Sequence, residues 1–558
     1  MVIDQSMHEY GHNGCDAVKQ DDIQLLVDST QSLVNLQDKD PTSRTYGCFD
    51  RDYWAWKSKD MPNSTRQNAI YPLAYLASTD VMRLGPIGEI ISEVIRSGLL
   101  FLRRCQRKNG AFDQVYPNEN NVGTTAYAIL GPLKAYALCR ETLCDADRAQ
   151  IESMFEKAGE FILVNDERYG NICNHIALCA HVCSLLNILL DDARFEVRGE
   201  YFLQRALSMQ DEEGWFAEYG QPDPAYETQT LWHLTQYAIK SGDVRVLERC
   251  ELCIDQFLRY LCHPDGTIGG NYTRRNNIIF YPAGISYLAS RNPNARSMER
   301  CYSKSSKWVL NLDVDNKIRY LINIVDQQSK AAQDEESEET ELPYQLDSVE
   351  RFFKRGGYYV KGNRQYYSIT SLRRGGCVLV WDKMAKIRHG VYGYAIRVHT
   401  GKWYSTNGIN GNLFFEKNGN VLCVKKQLEG VKSLSITPLV NLIIRCLTLS
   451  ILRIPFLSEL FKKRLVRYTN KCGGKSKMLH TRSITFDDTM VQVNDSISGI
   501  SGVDITIHDA RNIVPFHSVV SHLSEDFSGW TINNYPLKSF AIRNGTFQRK
   551  MNIEVKDV

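Results

Sequence analysis

Asn174 and His175 stand side by side in the stretch NICNHIALC, where an apolar helical run begins. A side-chain amide donates hydrogen bonds without carrying charge, and an imidazole accepts a proton near neutral pH. The same two residues could instead cap a helix start and pack on a neighbour. Tyr226, in DPAYETQT, follows His175 by 51 positions, and its phenol can donate or accept a proton. It closes the stretch EGWFAEYGQPDPAY, residues 213–226, which holds Trp215, Phe216, Glu218, Tyr219 and Asp223 among two glycines and two prolines. Gly214 and Gly220 permit tight turns, and Pro222 and Pro224 stiffen the loop. A stiff loop of this kind holds phenols, carboxylates and an indole at fixed positions, as proton transfer requires.

The elements that must position these groups are helical. DDIQLLVDSTQSLVNL, TTAYAILGPLKAYALC, HIALCAHVCSLLNILLDD and DVRVLERCELCIDQFLRYLC all place apolar residues at helical spacing. Glycine-centred loops separate them: KNGAFDQVYP, EEGWFAEYG and PDGTIGGNY. The marker glycines Gly110, Gly214 and Gly266 are 104 and 52 positions apart, and Gly170 lies near the missing midpoint. A period of about fifty residues with two helices in each predicts helical hairpins whose loops gather on one face. The expected architecture is an N-terminal α/α toroid over 20–325, after a tail of residues 1–19. An acidic stretch over 326–350, DQQSKAAQDEESEETELPYQLDSVE, reads as a linker. From 351 to 558 the period changes. GGYYVKGNRQYYSITSLRRGGCVLVW and SITFDDTMVQVNDSISG alternate and are rich in β-branched and aromatic residues, which predicts a C-terminal antiparallel β-sandwich.

The chain has 558 residues, 43% of them hydrophobic and 23% charged, with a net charge of +3. So small a charge gives no footprint for nucleic acid. Sixteen cysteines are spaced irregularly. The most metal-like group, Cys250, Cys253, Cys262 and His263, lies in a helical run and reads as buried small side chains rather than zinc ligands. The N-terminus shows no apolar signal region, so a cytoplasmic location is expected. Residues 435–467 are apolar but interrupted by Arg445 and Arg453 and followed by Lys462, Lys463, Arg464 and Arg467. They read as a helical insertion in the sandwich, and a basic amphipathic insertion also suits peripheral contact with a membrane.

Four blocks together carry a resemblance: YGCFDRDYWAWKSKDMPNSTRQNAIYPLAYL, GAFDQVYPNENNVGTTAYAIL, EGWFAEYGQPDPAYETQT and DGTIGGNYTRRNNIIFYPAGISYLA. They resemble the heparinase II/III-like family of polysaccharide lyases, whose members join an α/α toroid to a β-sandwich. The resemblance implies cleavage of a uronic-acid glycan by β-elimination. A donor must neutralise the uronate carboxylate, a base must take the C5 proton, and an acid must protonate the leaving oxygen. By this resemblance Asn174 is the donor, His175 the base and Tyr226 the acid, with Tyr219 as second choice. His389 in the sandwich is a further catalytic candidate. Trp215 would stack on a sugar, and Glu218, Arg66, Asn68, Asn118, Glu119, Arg275 and Asn276 would line the cleft. Family members can also hold zinc in the sandwich. Here Tyr392, Tyr394 and Asn407 stand where ligands are sought, so neither metal nor cofactor is expected. The expected partner is an acidic polysaccharide or oligosaccharide. Two other readings use the same fold: a glycan-binding or assembly protein without turnover, and a hydrolase using Glu218 and Asp223.

Overall fold

The computed structural model describes residues 17–79, 86–167, 172–303, 312–328, 338–408, 412–431, 437–470, 473–500, 505–509, 531–533, 539–542 and 545–555. Gly170, residues 1–16 of the expected tail and residues 329–337 of the expected linker lie outside the described residues.

The first half is helix after helix. In chain order these are α1 (Ala17–Val34), α2 (Arg51–Trp54), α3 (Ile70–Ser78), α4 (Pro86–Cys105), α5 (Val122–Cys139), α6 (Asp145–Val164) and α7 (Cys173–Leu190). There follow α8 (Arg194–Leu207), α9 (Pro224–Ser241), α10 (Val244–Gln256), α11 (Pro282–Leu288), α12 (Pro293–Ser303) and α13 (Val314–Gln328). The inner helices α3, α5, α7, α9, α11 and α13 each pack on the next, and α13 closes back on α3. This is a toroid. Its inner helices are apolar around most of their circumference, as helices buried on several sides must be. That explains α7, which is long and apolar enough to cross a membrane by composition but is largely buried inside the ring.

The repeat has a local cause. Gly47 and Gly110 adopt φ of +89°, and a Cβ there would lie 2.1 Å from Ser97 O and 1.9 Å from Lys157 O. Each loop therefore lies directly on the backbone of the following outer helix, where no side chain fits. A glutamine amide fastens the same junction three times. Gln37 donates to Gly47 O and Val94 O. Gln106 donates to Gly110 O and Met154 O, and Gln210 to Gly214 O and Arg249 O. The glycine period read from sequence is thus a packing device.

The acidic stretch expected to begin at 326 begins inside the toroid. Asp326 lies on α13 and is buried. It accepts hydrogen bonds from Tyr71 on α3, Lys134 on α5 and Trp232 on α9, at 3.0, 2.6 and 2.8 Å.

The second half forms two sheets. In chain order the strands are β1 (Ser348–Phe353), β2 (Tyr358–Asn363), β3 (Tyr366–Ser371), β4 (Cys377–Asp382), β5 (Ile387–Val391), β6 (Tyr394–Val398), β7 (Trp403–Ser405) and β8 (Leu413–Asn418). They continue with β9 (Val421–Gly430), β10 (Gly473–Phe486), β11 (Met490–Ile500), β12 (Ile505–Asp509), β13 (Thr531–Asn533), β14 (Ser539–Ile542) and β15 (Gly545–Glu554). One sheet runs β1-β2-β3-β4-β5-β13, and the other runs β14-β12-β6-β7-β9-β10-β11-β15 with β8 on β9. The pairing is antiparallel except that β13 joins β5 in parallel at the sheet edge.

The first sheet is buried on both faces, which is why β3 and β4 lack the polar alternation of a half-exposed strand. Tyr358, Val360, Leu379 and Trp381 pack into the toroid core, while Tyr359, Val378 and Val380 pack against the second sheet. The turn between β3 and β4 joins the two domains. Arg374, buried on that turn, donates to Thr273 O, Arg274 O and Asn407 O. Behind it Arg482 donates to Gly376 O and makes a two-pronged pair with Asp495 at 2.7 and 2.8 Å.

Arg374→Ala removes a buried cation and leaves three carbonyls without a donor, and losing such bonds costs on the order of 3 kcal/mol or more. The variant is expected to unfold at clearly lower denaturant concentration than the parent, measured by urea titration with fluorescence. An unchanged midpoint would show that this turn does not hold the domains together.

Candidate functional site

The inner helices of the toroid start at one end of the ring, and the starts touch. Cys173 N–H donates to Ala217 O, and Ile172 and Glu218 form an isolated antiparallel bridge. The loop of 208–223 is thereby laid along the start of α7, so Asn174 lies beside Glu218. The backbone of Asn174 hydrogen-bonds the Glu218 carboxyl. Tyr226 sits in the first turn of α9, which Pro224 opens at its N-terminus. The loop after α10 brings Arg274 and Arg275 over the Tyr219 ring, at 5.1 and 4.6 Å from its centroid. Arg275 also donates to the Tyr219 hydroxyl at 3.3 Å and to Tyr226. Asp223 accepts from Arg275 N–H at 3.0 Å. Arg319, on α13, lies over the Tyr127 ring at 4.9 Å and near Tyr226 and Tyr281.

His175 is part-exposed, its side chain 40% accessible, and its Nδ1 lies 3.9 Å from the buried Glu167 carboxylate. Gly123, in the first turn of α5, makes room for both. A Cβ there would come within 2.9 Å of His175 Nδ1 and 3.2 Å of Glu167 Oε2.

Several buried polar atoms in this cluster have no partner within the protein: Asn174 Nδ2, Glu218 Oε2, Asp223 Oδ1, Arg275 Nε and Asn276 Nδ2. An unsatisfied buried polar group costs roughly 1–3 kcal/mol, so several in one place mark where a ligand is to supply the partners. Tyr219 and Asn276 also adopt φ of +55° and +54°, a left-handed backbone that side chains other than glycine adopt at some cost.

The electrostatics favour an anion. Burial pushes Glu218 up to about 8. Burial also raises Asp223 and carries Glu227 well above the ordinary carboxyl value. At neutral pH Glu218 therefore holds its proton, while the guanidiniums of Arg274, Arg275 and Arg319 keep their charge. The starts of the inner helices add positive potential at the same end. Burial raises Tyr219 and Tyr226 as well, with Arg275 opposing in both, so both phenols are protonated at neutral pH.

The structure brings Asn174, His175, Glu218, Tyr219, Tyr226, Arg275 and Asn276 to this end of the ring. The other expected residues belong elsewhere. Arg66 is held by Asp50, Asp52 and Asp315 through its Nε and one terminal nitrogen. Asn68 is spent on Thr65 O, Tyr127 O and Gly131 N–H. Asn118 donates to Leu452 O, and the Glu119 carboxylate accepts the N–H groups of Gln114 and Val115. Trp215 is buried in the toroid core, with its Nε1 on Glu213 and against Gly356, so it offers no face to a sugar. His389 pairs with Val380 across β4 and β5 and shares its face toward the second sheet. Its neighbour Arg388 points the other way, to Asp265 in the toroid. Strand alternation thus turns His389 away from the cleft. The helical spacing of Cys250 and Cys253 carries no metal signal, and His263 instead bonds Thr267 and Tyr272. Among the described residues no three His, Cys, Asp or Glu side chains stand close enough to hold a metal ion.

Arg319, Arg274, Gly123 and Glu167 were not expected from the sequence. Arg319 sits in α13, whose apolar pattern reads as ordinary helix. Gly123 follows Asn121, whose side chain caps α5, and a glycine in a first turn draws no notice there.

Residues 27–281 match the sequence family described as the ulvan lyase N-terminal domain. No curated protein matches the chain. The fold is similar to that of the chondroitin AC lyase of Streptomyces coelicolor A3, solved with chondroitin sulphate, at a TM-score of 0.57 and 10% identity over 91% of this chain and 71% of that one. It is also similar to a Paenibacillus xanthan lyase at a TM-score of 0.51 and 12% identity, over 91% of this chain and 49% of that one. At such identities the structures speak for the fold. The sequence match and the shared architecture bear out the expected resemblance to polysaccharide lyases that join a helical toroid to β-sheets.

Because burial pushes Glu218 up to about 8 from an ordinary value of 4.5, the folded state keeps a proton that the unfolded chain releases between those values. Its contribution to stability is therefore complete below pH 4.5 and is lost as pH rises toward 8. In Glu218→Gln that loss is absent. Relative to the parent, the variant is expected to gain on the order of 4 kcal/mol between pH 4.5 and 8, read by chemical unfolding at a series of pH values. Parallel stability curves for the two proteins would contradict the protonated carboxyl.

Proposed function

We propose that this chain is a polysaccharide lyase that cleaves a uronate-containing glycan by β-elimination. The observation that carries the reading is the Asn174 amide nitrogen, buried without a partner next to His175 and beside a neutral Glu218 that faces Arg274 and Arg275. That arrangement receives a carboxylate. Asn174 Nδ2 donates to one uronate oxygen, and the protonated Glu218 adds no opposing charge. Charge that develops on the carboxylate as C5 loses its proton is stabilised by these fixed groups.

His175 takes the C5 proton, with the Glu167 carboxylate 3.9 Å from its Nδ1. The C5–H electron pair becomes the C4=C5 double bond as the C4–O bond breaks. Tyr226, protonated at neutral pH, gives its proton to the departing oxygen. Arg275 and Arg319 lie against that phenol and stabilise the phenolate left behind. Exchange with water then returns a proton to Tyr226 and removes one from His175. Tyr219 acts through Arg275, which lies over its ring and donates to its hydroxyl.

The hydrolase reading needs one ionised carboxylate to activate water. Burial pushes Glu218 up to about 8, so at neutral pH it is not the carboxylate that would activate water. A glycan-binding protein without turnover would use the same carboxylate grip, and the distinction is the product.

The test is incubation with ulvan, chondroitin sulphate and xanthan while following ultraviolet absorbance of the unsaturated uronate. Signal on at least one polymer is expected. His175→Ala and Tyr226→Phe are each expected to lower the rate by a factor of 100 or more, in line with the loss of a proton-transfer group. Asn174→Ala is expected to fall comparably through lost charge stabilisation. Saturated products would establish a hydrolase, and intact polymer with measurable binding would establish a binding protein.

A further inference from the structure

Between β9 and β10 the chain leaves the sandwich and forms two helices, α14 (Pro438–Leu449) and α15 (Pro455–Asn470), joined by a short turn. The pair is pinned to the toroid rather than to its own domain. Arg445 and Thr448 bond to Asp60 at 2.8 and 2.9 Å. Asn118 donates to Leu452 O, Ser458 to Pro117 O and Lys462 to Glu119 O. The Phe461 ring meets Tyr116 edge-on at 5.5 Å.

These anchors turn polar groups inward and leave apolar ones outside, the reverse of a soluble surface helix. On α14 only Thr448 is buried. Leu439 is 65% exposed, Leu442 59%, Ile443 50%, Leu449 54%, Ile454 52% and Phe456 69%. So contiguous an apolar patch marks an interaction surface. Its charge says which kind. Residues 435–467 hold six basic residues and one acidic residue, a net of +5 in a chain whose total is +3. Arg453 and Arg464 are exposed beside the apolar side chains. A second copy of this chain would bring like charge against like. An anionic bilayer surface offers both an apolar layer for Leu442, Ile443 and Phe456 and phosphates for the arginines.

We propose that this helical pair docks the protein on an anionic lipid membrane. Glu459, Lys462 and Lys463 of α15 also line a cavity of about 610 Å³ together with Asn120, Asn121 and Glu167. Glu167 is the carboxylate behind His175. The docking rests on the helical pair alone and not on the proposed function.

The experiment is co-sedimentation of the full chain with vesicles of phosphatidylglycerol and phosphatidylcholine, and with phosphatidylcholine alone, without glycan. Binding to the anionic vesicles is expected, weakening with salt. It should fall at least about tenfold in Leu442→Ser/Ile443→Ser/Phe456→Ser and again in Arg453→Glu/Arg464→Glu. Both variants change exposed side chains, so unfolding midpoints should match the parent. The proposal is overturned if the parent ignores anionic vesicles, or if the serine variant binds them as well as the parent. It is equally overturned if the parent is a dimer by light scattering that the serine variant disperses. Absence of lyase activity would leave the vesicle result standing.

Discussion

The carboxylate of Asp326 gathers three inner helices of the ring onto a fourth. Residing on α13, it accepts from Tyr71, Lys134 and Trp232 on α3, α5 and α9. A buried carboxylate alone would be costly, and here Lys134 neutralises it at 2.6 Å. The other donors satisfy its remaining lone pairs. With these helices tied to one point, their starts fall at one end of the ring in fixed relation. Tyr226 projects from the start of α9 and Arg319 from α13, so their relation follows from this bond, while Asn174 and His175 stand on α7, which packs between α5 and α9.

Burial does two opposite things at that end. It raises the carboxyls of Glu218, Asp223 and Glu227, and it pushes Glu218 up to about 8, so that this carboxyl is neutral at pH 7. It leaves the arginines charged, because a guanidinium keeps its proton even when buried. The result favours an anion at a site where acids and bases stand in nearly equal numbers. A residue count of charge would not reveal it, since protonation depends on depth. The sandwich contributes through Arg374, which holds the carbonyls of Thr273 and Arg274 and so fixes the loop carrying Arg275.

Periodicity made the architecture legible. The glycine spacing of the loops reflects a real contact, with loop backbone lying on the next outer helix. The change from helical to alternating pattern was read at 351, and the first strand begins at Ser348, inside the stretch expected to be linker. The shared end of the ring at which Asn174, His175 and Tyr226 stand was legible because residues at helix starts, one repeat apart, occupy similar places on adjacent hairpins. Arg66, Asn68, Glu119 and Trp215 misled because sequence shows a polar or aromatic residue in a loop but not what it is bonded to. Three carboxylates surround Arg66, from Asp50 and Asp52 nearby and from Asp315 almost 250 positions away. His389 misled because one step along a strand reverses the face. Arg319 and Glu167 became visible only once ring closure placed distant segments together.

The central claim is that the Asn174 amide receives a uronate carboxylate beside His175. A crystal structure of Tyr226→Phe with an uncleaved glucuronate-containing tetrasaccharide tests it most directly. The account predicts a uronate oxygen within about 3 Å of Asn174 Nδ2 and the sugar C5 turned toward the His175 ring. A uronate bound elsewhere in the ring, with Asn174 and Glu218 still unpartnered, would contradict it.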